Sequence, residues 1–444
     1  MARQMTLALT GDSLITRRMP EFDDPAFAGM IDLIRECDVA DTNIETTLSR
    51  FRGSPVVESG GMALSTDPRC AHDLRRMGFN CAAFANNHTP NYGEEGVLHT
   101  LEALRDAEIV TAGAGATRGE ARLPAYLDTP NGRLGFVGCA STFAPGQRAG
   151  DQTPYLPGRA GLNPLRYKTT ILVDEPAMQQ IKRMAQETGL EQQWQFGEWL
   201  GFGEPLKEGE FSFLRQTYAL GDGEVRVKTE PNERDLAEIL CWTQEAKRQA
   251  GFAMVSIHAH EQGRERWLPA EFLPTFAHAC IDAGADVFVG HGPHLLRGLE
   301  IYKGKPIFYS VGNFIFQYET MERVGADDLD NLRVEPHWTP GQVMANFHQN
   351  LERGFPADER YWETVLPICT FEGDELREIA LHPLTLGFKQ PVWERGTPRL
   401  ASGEQAERTL QRFAELSEPY GTRIEISGAR ALVRAPDAVL ALAN

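Results

Sequence analysis

The 444-residue sequence predicts an α/β fold, in which short buried strands alternate with helices. Apolar runs of strand length occur at residues 7–10, 253–257 and 285–289, and each ends abruptly in Asp or His. Segments with apolar residues at helical spacing, such as residues 25–37 and 93–107, lie between runs of this kind. Ligands of α/β sheets bind beyond the carboxyl ends of the strands. The polar residues at these breaks are therefore expected to converge on one site.

The first half of the chain alternates between the two element types. The opening strand runs into Gly11-Asp12, and a helix over residues 25–37 precedes a strand that carries Glu45. A later strand ends in Asn86-Asn87-His88. Asn131-Gly132 is typical of a two-residue hairpin turn and predicts a hairpin there.

The strand pattern fails between about residues 144 and 231. This stretch is rich in Gly, Pro, Gln and aromatic residues. It is interpreted as a helical insertion that forms either a lid over the site or a peripheral layer.

The second half returns to the alternating pattern. Helices over residues 232–250 and 269–283 precede the strands that end in His258 and His291. Residues 305–314 are predicted to form a single strand. A hairpin over residues 364–381 is predicted to close the sheet, and the fold domain is assigned to residues 1–390, with a C-terminal extension over residues 391–444.

Composition and charge narrow the class of protein. Apolar residues make up 42% and charged residues 24%, as in ordinary soluble globular proteins. The net charge of −18 argues against a nucleic-acid binder, because phosphate backbones require clustered Lys and Arg. Binding of an anionic substrate would need a local positive charge, which a divalent metal can supply.

Cysteine usage and hydropathy predict the cellular compartment of the protein. The seven cysteines show no CxxC pair and are odd in number, which is typical of a reducing compartment. The N-terminus does not resemble a signal peptide, and no apolar run is long enough to span a bilayer. A cytoplasmic protein without a transmembrane segment is expected, and its oligomeric state is left open.

The residues at the strand ends form a set suited to metal binding. Carboxylate, amide oxygen and imidazole are the ligands that hard and borderline divalent cations prefer. The most distinctive piece is Gly290-His291-Gly292-Pro293-His294, which places two imidazoles on one turn. A divalent-metal site without cysteine ligands is predicted.

At these residues the sequence resembles the CapA family, named for poly-γ-glutamate capsule biosynthesis and built on the calcineurin-like metallophosphatase fold. Six pieces carry the resemblance: Gly11-Asp12, Asn43-x-Glu45, Asn86-Asn87-His88 with Tyr92-Gly93 following, His258-x-His260-Glu261, Gly290-His291-Gly292-Pro293-His294 and residues 309–314. The resemblance implies a four-layer fold, with a central β-sandwich flanked by helices. It also implies one or two divalent ions (Mn, Mg, Ca, Zn or Fe) at the strand ends.

By analogy with the metallophosphatase blocks, the resemblance implies a role for each residue. Glu45 is the natural bridge between two ions. His88 is expected to act as an acid or base, with His294 and His260 as further catalytic candidates. The expected metal ligands are Asp12, Glu45, Asn87, His258 and one or both of His291 and His294, and the expected substrate contacts are Asn43, Asn86, Glu261 and Asn313.

The sequence also departs from the phosphatase pattern. Asp12 is followed by Ser13-Leu14 instead of x-His, and Asn43 and Glu45 replace paired aspartates. The final block spaces its histidines by three positions instead of two. These departures weaken the expectation of phosphatase activity.

The resemblance therefore favours a metal-dependent enzyme that acts on a peptide or amino-acid-derived carbonyl substrate. The chain is similar to a soluble branch that includes epimerases of lasso-peptide pathways, so the expected reaction is Cα epimerisation or amide hydrolysis. Two alternatives stand beside it. One is a phosphoesterase that uses metal-bound hydroxide, and the other is a non-catalytic accessory protein of poly-γ-glutamate biosynthesis.

Overall fold

A computed structural model describes residues 4–20, 23–58, 60–202 and 206–434. Its strands, in chain order, are β1 (Gln4–Leu14), β2 (Val39–Ile44), β3 (Cys81–Ala83), β4 (Val110–Ala112), β5 (Ala114–Gly115), β6 (Ala125–Thr129), β7 (Gly132–Ala140), β8 (Gly161–Leu162), β9 (Tyr167–Val173), β10 (Glu210–Phe213), β11 (Gln216–Leu220), β12 (Arg226–Pro231), β13 (Gly251–His258), β14 (Val287–His291), β15 (Leu296–Tyr302), β16 (Lys305–Val311), β17 (Asn313–Phe316), β18 (Glu363–Glu372), β19 (Glu375–Thr385), β20 (Arg399–Leu400), β21 (Glu425–Ser427) and β22 (Arg430–Arg434).

Helices cover both outer faces of the sheets and form most of the long connections. In chain order, the α-helices are α1 (Pro25–Arg35), α2 (Cys70–Met77), α3 (Gly93–Asp106), α4 (Arg118–Arg122), α5 (Glu175–Glu187), α6 (Leu190–Trp199), α7 (Glu233–Ala250), α8 (Phe272–Asp282), α9 (Ala326–Leu332), α10 (Pro340–Phe347) and α11 (Gly403–Ser417).

Two large sheets form the centre of the molecule. The first sheet has the order β21-β22-β19-β18-β1-β2-β3-β4, with β17 beside β1 and β20 beside β19. The second sheet has the order β15-β16-β14-β13-β7-β6. Strands β1 to β4 run parallel to one another, and so do β7, β13, β14 and β16. Within each sheet, the carboxyl ends of these strands therefore meet at one edge.

The sheets and helices stack in four layers. Side chains such as Leu9, Phe136 and Met254 fill the space between the two sheets. Helices α1, α2 and α3 cover the outer face of the first sheet, and α7 and α8 cover that of the second. The predicted calcineurin-like metallophosphatase fold, a β-sandwich flanked by helices, is confirmed.

Several local predictions are confirmed by capping and turn chemistry. Helix α1 begins where Asp24 caps the amide of Ala26 and Pro25 occupies the first turn. The Asn131-Gly132 turn joins β6 to β7, and the turn after Glu372 joins β18 to β19. These segments form as predicted because their local signals agree with the surrounding packing.

The single strand predicted over residues 305–314 is wrong. The structure divides it at Gly312, whose φ of 73° lies in the left-handed region. Strand β16 belongs to the second sheet and β17 to the first, so the chain crosses between the sheets here. Gly11 lies so close to this crossing that a Cβ at residue 11 would overlap the carbonyl of Gly312.

The insertion, predicted to be helical, also contains a small sheet. Strands β9 to β12 pair in the order β10-β11-β9-β12, and α5 and α6 accompany them. The β-branched residues Thr169, Thr170, Ile171 and Val173 in β9 favour a strand, a signal that the Gly-rich and Gln-rich surroundings obscure.

The C-terminal region is part of the sandwich as far as residue 434. Strands β20 and β22 pair with β19, and α11 packs on β15 and β19. Residues 435–444 of the predicted extension lie outside the described residues.

Candidate metal centre

Asp12 is the central carboxylate from the first sheet. It lies near the end of β1, where its backbone pairs with Asn43 of β2 and Asn313 of β17. Its Oδ1 accepts a hydrogen bond from Asn43 Nδ2 (2.8 Å), and its Oδ2 accepts one from the amide of Gly292 (3.0 Å). Burial by itself would raise the pKa of Asp12, but the hydrogen bond with His294 and the nearby imidazoles lower it below its usual value. Asp12 is therefore ionised at neutral pH.

Glu45 provides the second carboxylate, one residue beyond the end of β2. Its amide donates to the carbonyl of Ser13 (3.1 Å), which fixes the backbone beside β1. The side chain is fully buried, and neither carboxylate oxygen has a hydrogen-bond partner among the described residues. Burial and the neighbouring charge of Asp12 raise the pKa of Glu45 well above its usual value.

His258 and His291 come from the second sheet and face these carboxylates. They are backbone partners at the ends of the parallel strands β13 and β14. His258 Nδ1 lies 3.7 Å from Asp12 Oδ1, and His258 Nε2 lies 3.6 Å from Glu45 Oε1. His291 Nδ1 lies 3.9 Å from Asp12 Oδ1. Burial lowers the pKa of His291 to about 4 and that of His258 well below its usual value, so both imidazoles are neutral.

The turn after β14 directs His294 back into the same cluster. His294 has a φ of 59°, an uncommon left-handed conformation for a residue with a side chain. Its Nδ1 lies 2.9 Å from Asn313 Oδ1, while Asn313 Nδ2 donates to the carbonyl of Tyr361 (3.0 Å). His294 Nδ1 therefore carries the proton. Its Nε2 lone pair is left facing Glu45 Oε1 at 3.8 Å.

His260 lies two residues beyond His258. The two Nε2 atoms are 2.8 Å apart, which is close enough for them to share one proton or to bind one cation together. Burial and the neighbouring His294 lower the pKa of His260 to about 3, so it is neutral as well.

The loop after β3 adds Asn87 and His88. The side-chain amide of Asn87 is buried and has no hydrogen-bond partner among the described residues. Asn91 Oδ1 accepts from the amide of Leu64 (2.7 Å) and lies 2.8 Å from His88 Nδ1, so that nitrogen carries the proton. The Nε2 lone pair of His88 lies 3.9 Å from Glu45 Oε1. Burial lowers the pKa of His88 to about 4, which keeps it an uncharged base at neutral pH.

The predicted substrate contacts occupy supporting positions. Asn86 Nδ2 donates to Asn43 Oδ1 (3.0 Å), and Asn43 Nδ2 lies 3.1 Å from His258 Nδ1. Asn313 orients His294. Glu261 accepts from Ser141 (2.6 Å) and Thr142 (2.9 Å). In the described structure these four side chains hold other residues of the site in place, and their predicted contact with substrate stays a prediction.

The residues present fit divalent metal ions. Glu45, His258 and His260 each offer a ligand atom within 4.8 Å of the others, and so do Asp12, Glu45 and His294. Glu45 belongs to both groups, as expected of a bridging carboxylate. The imidazole of His291, the amide of Asn87 and the carboxylate of Glu45 are all buried without hydrogen-bond partners in the described chain. Buried polar groups are normally satisfied, and ligation of a cation would satisfy the Glu45 carboxylate, the Asn87 amide oxygen and one ring nitrogen of His291.

The comparison of the chain with protein families agrees with this geometry. The family model described as bacterial capsule synthesis protein PGA_cap matches residues 6–318. The chain belongs to this capsule synthesis family. The matched region contains every side chain of the candidate metal centre, and the resemblance to the CapA family is confirmed.

Relatives span most of the chain. The uncharacterized protein y4sH of Sinorhizobium fredii is 34% identical over 97% of this chain and 93% of its own length. The capsule biosynthesis protein CapA of Bacillus anthracis is 22% identical, covering 70% of this chain and 60% of its own length. A probable polyglutamine synthesis accessory protein of Mycobacterium tuberculosis is 25% identical, covering 64% of this chain and 56% of its own length.

A cavity opens onto the candidate metal centre. It has a volume of about 560 Å³, and its lining includes Asn87, His88, His260 and His294. Its walls come from residues 60–64, 262–266 and 318–361. The described part of the insertion over residues 144–231 contributes no lining residue, although Gln147 Nε2 donates to the backbone carbonyl of Asn87 (3.1 Å).

Three supporting features escaped sequence reasoning. Asn91 determines which ring nitrogen of His88 carries the proton. Gln147 hydrogen-bonds to the backbone of the loop that carries Asn87, and Gly60-Gly61 packs against Asn87 and His88. The position of Asn91, three residues after His88, was the available signal for the first. Nothing local in the sequence marks the other two, since their contacts are long-range.

The described helices give no candidate for a membrane span. None combines the length and the apolar character that crossing a bilayer requires.

Proposed function

We propose that the protein is a divalent-metal-dependent enzyme that acts on a peptide or amino-acid-derived carbonyl substrate. The observation that carries the proposal is the cavity lining, in which the imidazoles of His88 and His294 lie 3.9 Å and 3.8 Å from Glu45 Oε1. His88 enters from the first sheet, and His260 and His294 enter from the second. Bases that come from opposite sheets can address opposite faces of one substrate carbon.

The side chains support proton transfer at a Cα atom. Asp12, Glu45, Asn87, His258 and His291 would hold one or two divalent ions, which polarise a carbonyl oxygen and so acidify the neighbouring Cα–H bond. His88 Nε2 takes the α-proton, and the C–H electron pair moves toward the carbonyl oxygen. On the other side, a protonated imidazole that does not ligate an ion delivers a proton to the opposite face, which inverts the centre. His294 is the better candidate for this acid, because burial lowers the pKa of His260 to about 3.

Amide hydrolysis uses the same residues with water as the second reactant. His88 would remove a proton from the attacking water, and a protonated imidazole would give one to the leaving amine. Epimerisation breaks and re-forms a Cα–H bond, whereas hydrolysis forms a C–O bond from water and breaks the C–N bond. A single assay therefore separates them.

The experiment incubates metal-loaded protein with a panel of peptides in D₂O and analyses the products by mass spectrometry and chiral chromatography. Deuterium incorporation with inversion and without cleavage indicates epimerisation, and cleavage indicates hydrolysis. Efficient phosphodiester hydrolysis with no action on peptides or amides would overturn the proposal and favour the phosphoesterase alternative.

A non-catalytic accessory role is the second candidate, because one relative is named as a probable polyglutamine synthesis accessory protein. In that role the metal would only stabilise the fold. His88→Ala would then leave the cellular function intact, whereas the enzyme proposal requires this variant to lose turnover while retaining its metal.

A further inference from the structure

The cavity above the metal centre has predominantly apolar walls. Its lining includes large apolar or aromatic side chains, here called the apolar wall, which are Met62, Tyr318, Met344, Phe347, Phe355 and Tyr361. The imidazole of His294 lines the same cavity and packs edge to face on Phe355, with ring centroids 5.4 Å apart. A ligand that reaches the imidazoles therefore also contacts an apolar surface.

The side chains of the apolar wall are held in place by packing and hydrogen bonding within the fold. Phe316 packs edge to face on Trp362 with ring centroids 5.2 Å apart, and Phe355 packs on Tyr361 at 4.7 Å. Trp362 Nε1 donates to the carbonyl of Phe355 (2.8 Å), which fixes the loop that carries this ring. Met344 is buried in the same cluster. The wall is thus supported from behind by packed aromatic rings.

The charges on the cavity do not suit a chain of glutamates. Among the described lining residues, Arg266 is the only Lys or Arg. Its guanidinium already donates to Asp358 (2.9 Å) and to the hydroxyl of Tyr361 (2.9 Å). The lining also contains Asp328, an acidic residue. A poly-γ-glutamate segment would bring one carboxylate per residue into a site whose described lining offers no unpaired side-chain cation to receive it.

We propose that the substrate carries a bulky apolar side chain, aliphatic or aromatic, next to its reacting carbonyl, and that this side chain lies against Met344, Phe347 and Phe355. The inference rests on the proposed function for the position of the carbonyl. The selectivity itself depends only on the wall.

Binding of hydroxamates tests this selectivity without turnover. Hydroxamates chelate divalent metals, so phenylalanine hydroxamate and glutamate α-hydroxamate share one anchor and differ only in the side chain. Isothermal titration calorimetry on manganese-loaded protein should show that phenylalanine hydroxamate binds at least about tenfold more tightly than the glutamate hydroxamate. This factor is typical of burying one or more additional methylene groups in an apolar pocket. Acetohydroxamate, which lacks a side chain, measures the anchor alone.

Phe347→Lys tests the wall itself. Phe347 is 40% exposed, so the variant should fold, and the new cation should lower affinity for phenylalanine hydroxamate about fivefold to tenfold while leaving acetohydroxamate unchanged. Phe196→Lys on α6 is the matched control, because Phe196 is 59% exposed and is not among the lining residues. It should change neither affinity.

The results separate this inference from the proposed function. Equal or tighter binding of the glutamyl ligand, or an unchanged apolar preference in Phe347→Lys, overturns the inference even if peptides are turned over. An apolar preference without any exchange or cleavage sustains the inference and counts against the proposed function. If the hydroxamate anchor does not bind, the N-acetyl amides of phenylalanine and glutamate, compared by saturation-transfer NMR, must show the same preference or the inference fails.

Discussion

At the residue scale, Glu45 is the side chain on which metal binding should depend most. It is fully buried, its oxygens have no hydrogen-bond donors in the described structure, and it belongs to both candidate ligand groups. A buried carboxylate of this kind is stabilised either by a proton or by a cation. The two compete for the same oxygens, so metal binding should be coupled to protonation.

We expect metal binding at neutral pH to release a proton from Glu45. Its raised pKa favours the protonated carboxyl in the metal-free protein, and ligation requires the carboxylate. Apparent metal affinity should therefore rise with pH until Glu45 ionises by itself. Calorimetry in two buffers with different ionisation enthalpies measures the number of protons released.

Glu45→Gln should abolish this proton release and weaken metal binding by at least about tenfold. Glu363→Gln is the matched control, because Glu363 is equally buried but is paired with Arg408 and Arg412. An unchanged proton count in Glu45→Gln would contradict the role given to this carboxylate.

His88 is the residue on which turnover should depend most directly. His88→Ala removes the neutral Nε2 base, so turnover should fall about 10²–10⁴-fold while metal content stays at the wild-type level. Steady-state kinetics with elemental analysis of the same samples checks both. His72→Ala, at an exposed position of α2, should change neither quantity, and loss of metal in His88→Ala would indicate a ligand instead of a base.

At the element scale, the turn between β14 and β15 determines whether the second sheet reaches the metal centre. Gly292 has a φ of 113°, and its amide donates to Asp12. A Cβ at this position would lie 2.8 Å from His260 Cδ2 and 3.0 Å from backbone atoms of Ala259. The turn therefore tolerates only glycine, for reasons of both conformation and space.

Gly292→Ala should lower metal occupancy and activity as well as stability. Gly304→Ala provides the comparison, since Gly304 also has a positive φ (76°) but has open space within 4 Å of where its Cβ would lie. Both variants should lose about 1 kcal/mol or more from backbone strain, but only Gly292→Ala should disturb the metal site. Thermal unfolding and metal analysis of the pair separate the two effects, and equal metal content in both would contradict this account.

At the scale of the whole molecule, the candidate metal centre lies where the two sheets meet. Asp12 and Glu45 come from the first sheet, His258 and His291 end strands of the second, and His294 follows one of them. Ions bound between them should hold the sandwich together at this edge and favour the folded state by mass action.

Removing metal should therefore lower the thermal stability of the entire fold. At a free metal concentration about one hundred times its Kd, binding contributes about 2.7 kcal/mol, so chelation should produce a clear fall in Tm that added manganese reverses. Differential scanning calorimetry measures this. A Tm that does not respond to chelator in wild-type protein, or that responds equally in Glu45→Gln, would count against a metal ion joining the sheets.

Much of the site could be predicted because its signals are local. A strand that ends in Asp12, His258 or His291 is visible in the sequence, and parallel strands bring such ends to a common edge. The convergence of these side chains is therefore a consequence of the fold class.

The rest depends on contacts between distant segments. The break at Gly312 could not be predicted because most of residues 306–314 are apolar, and only the crossing between sheets requires a turn there. The apolar wall of the cavity could not be predicted because residues 318–361 show little regular periodicity. Its Phe355 packs on Tyr361 and also on the distant Phe316, which in turn packs on Trp362.

The most direct test of the metal centre is anomalous diffraction from crystals of the manganese-loaded protein. The account predicts one or two anomalous peaks among Asp12, Glu45, His258, His291 and His294, at least one of them within about 2.0–2.5 Å of a Glu45 oxygen. Well-occupied manganese elsewhere with none at Glu45, or no bound manganese at all, would contradict it.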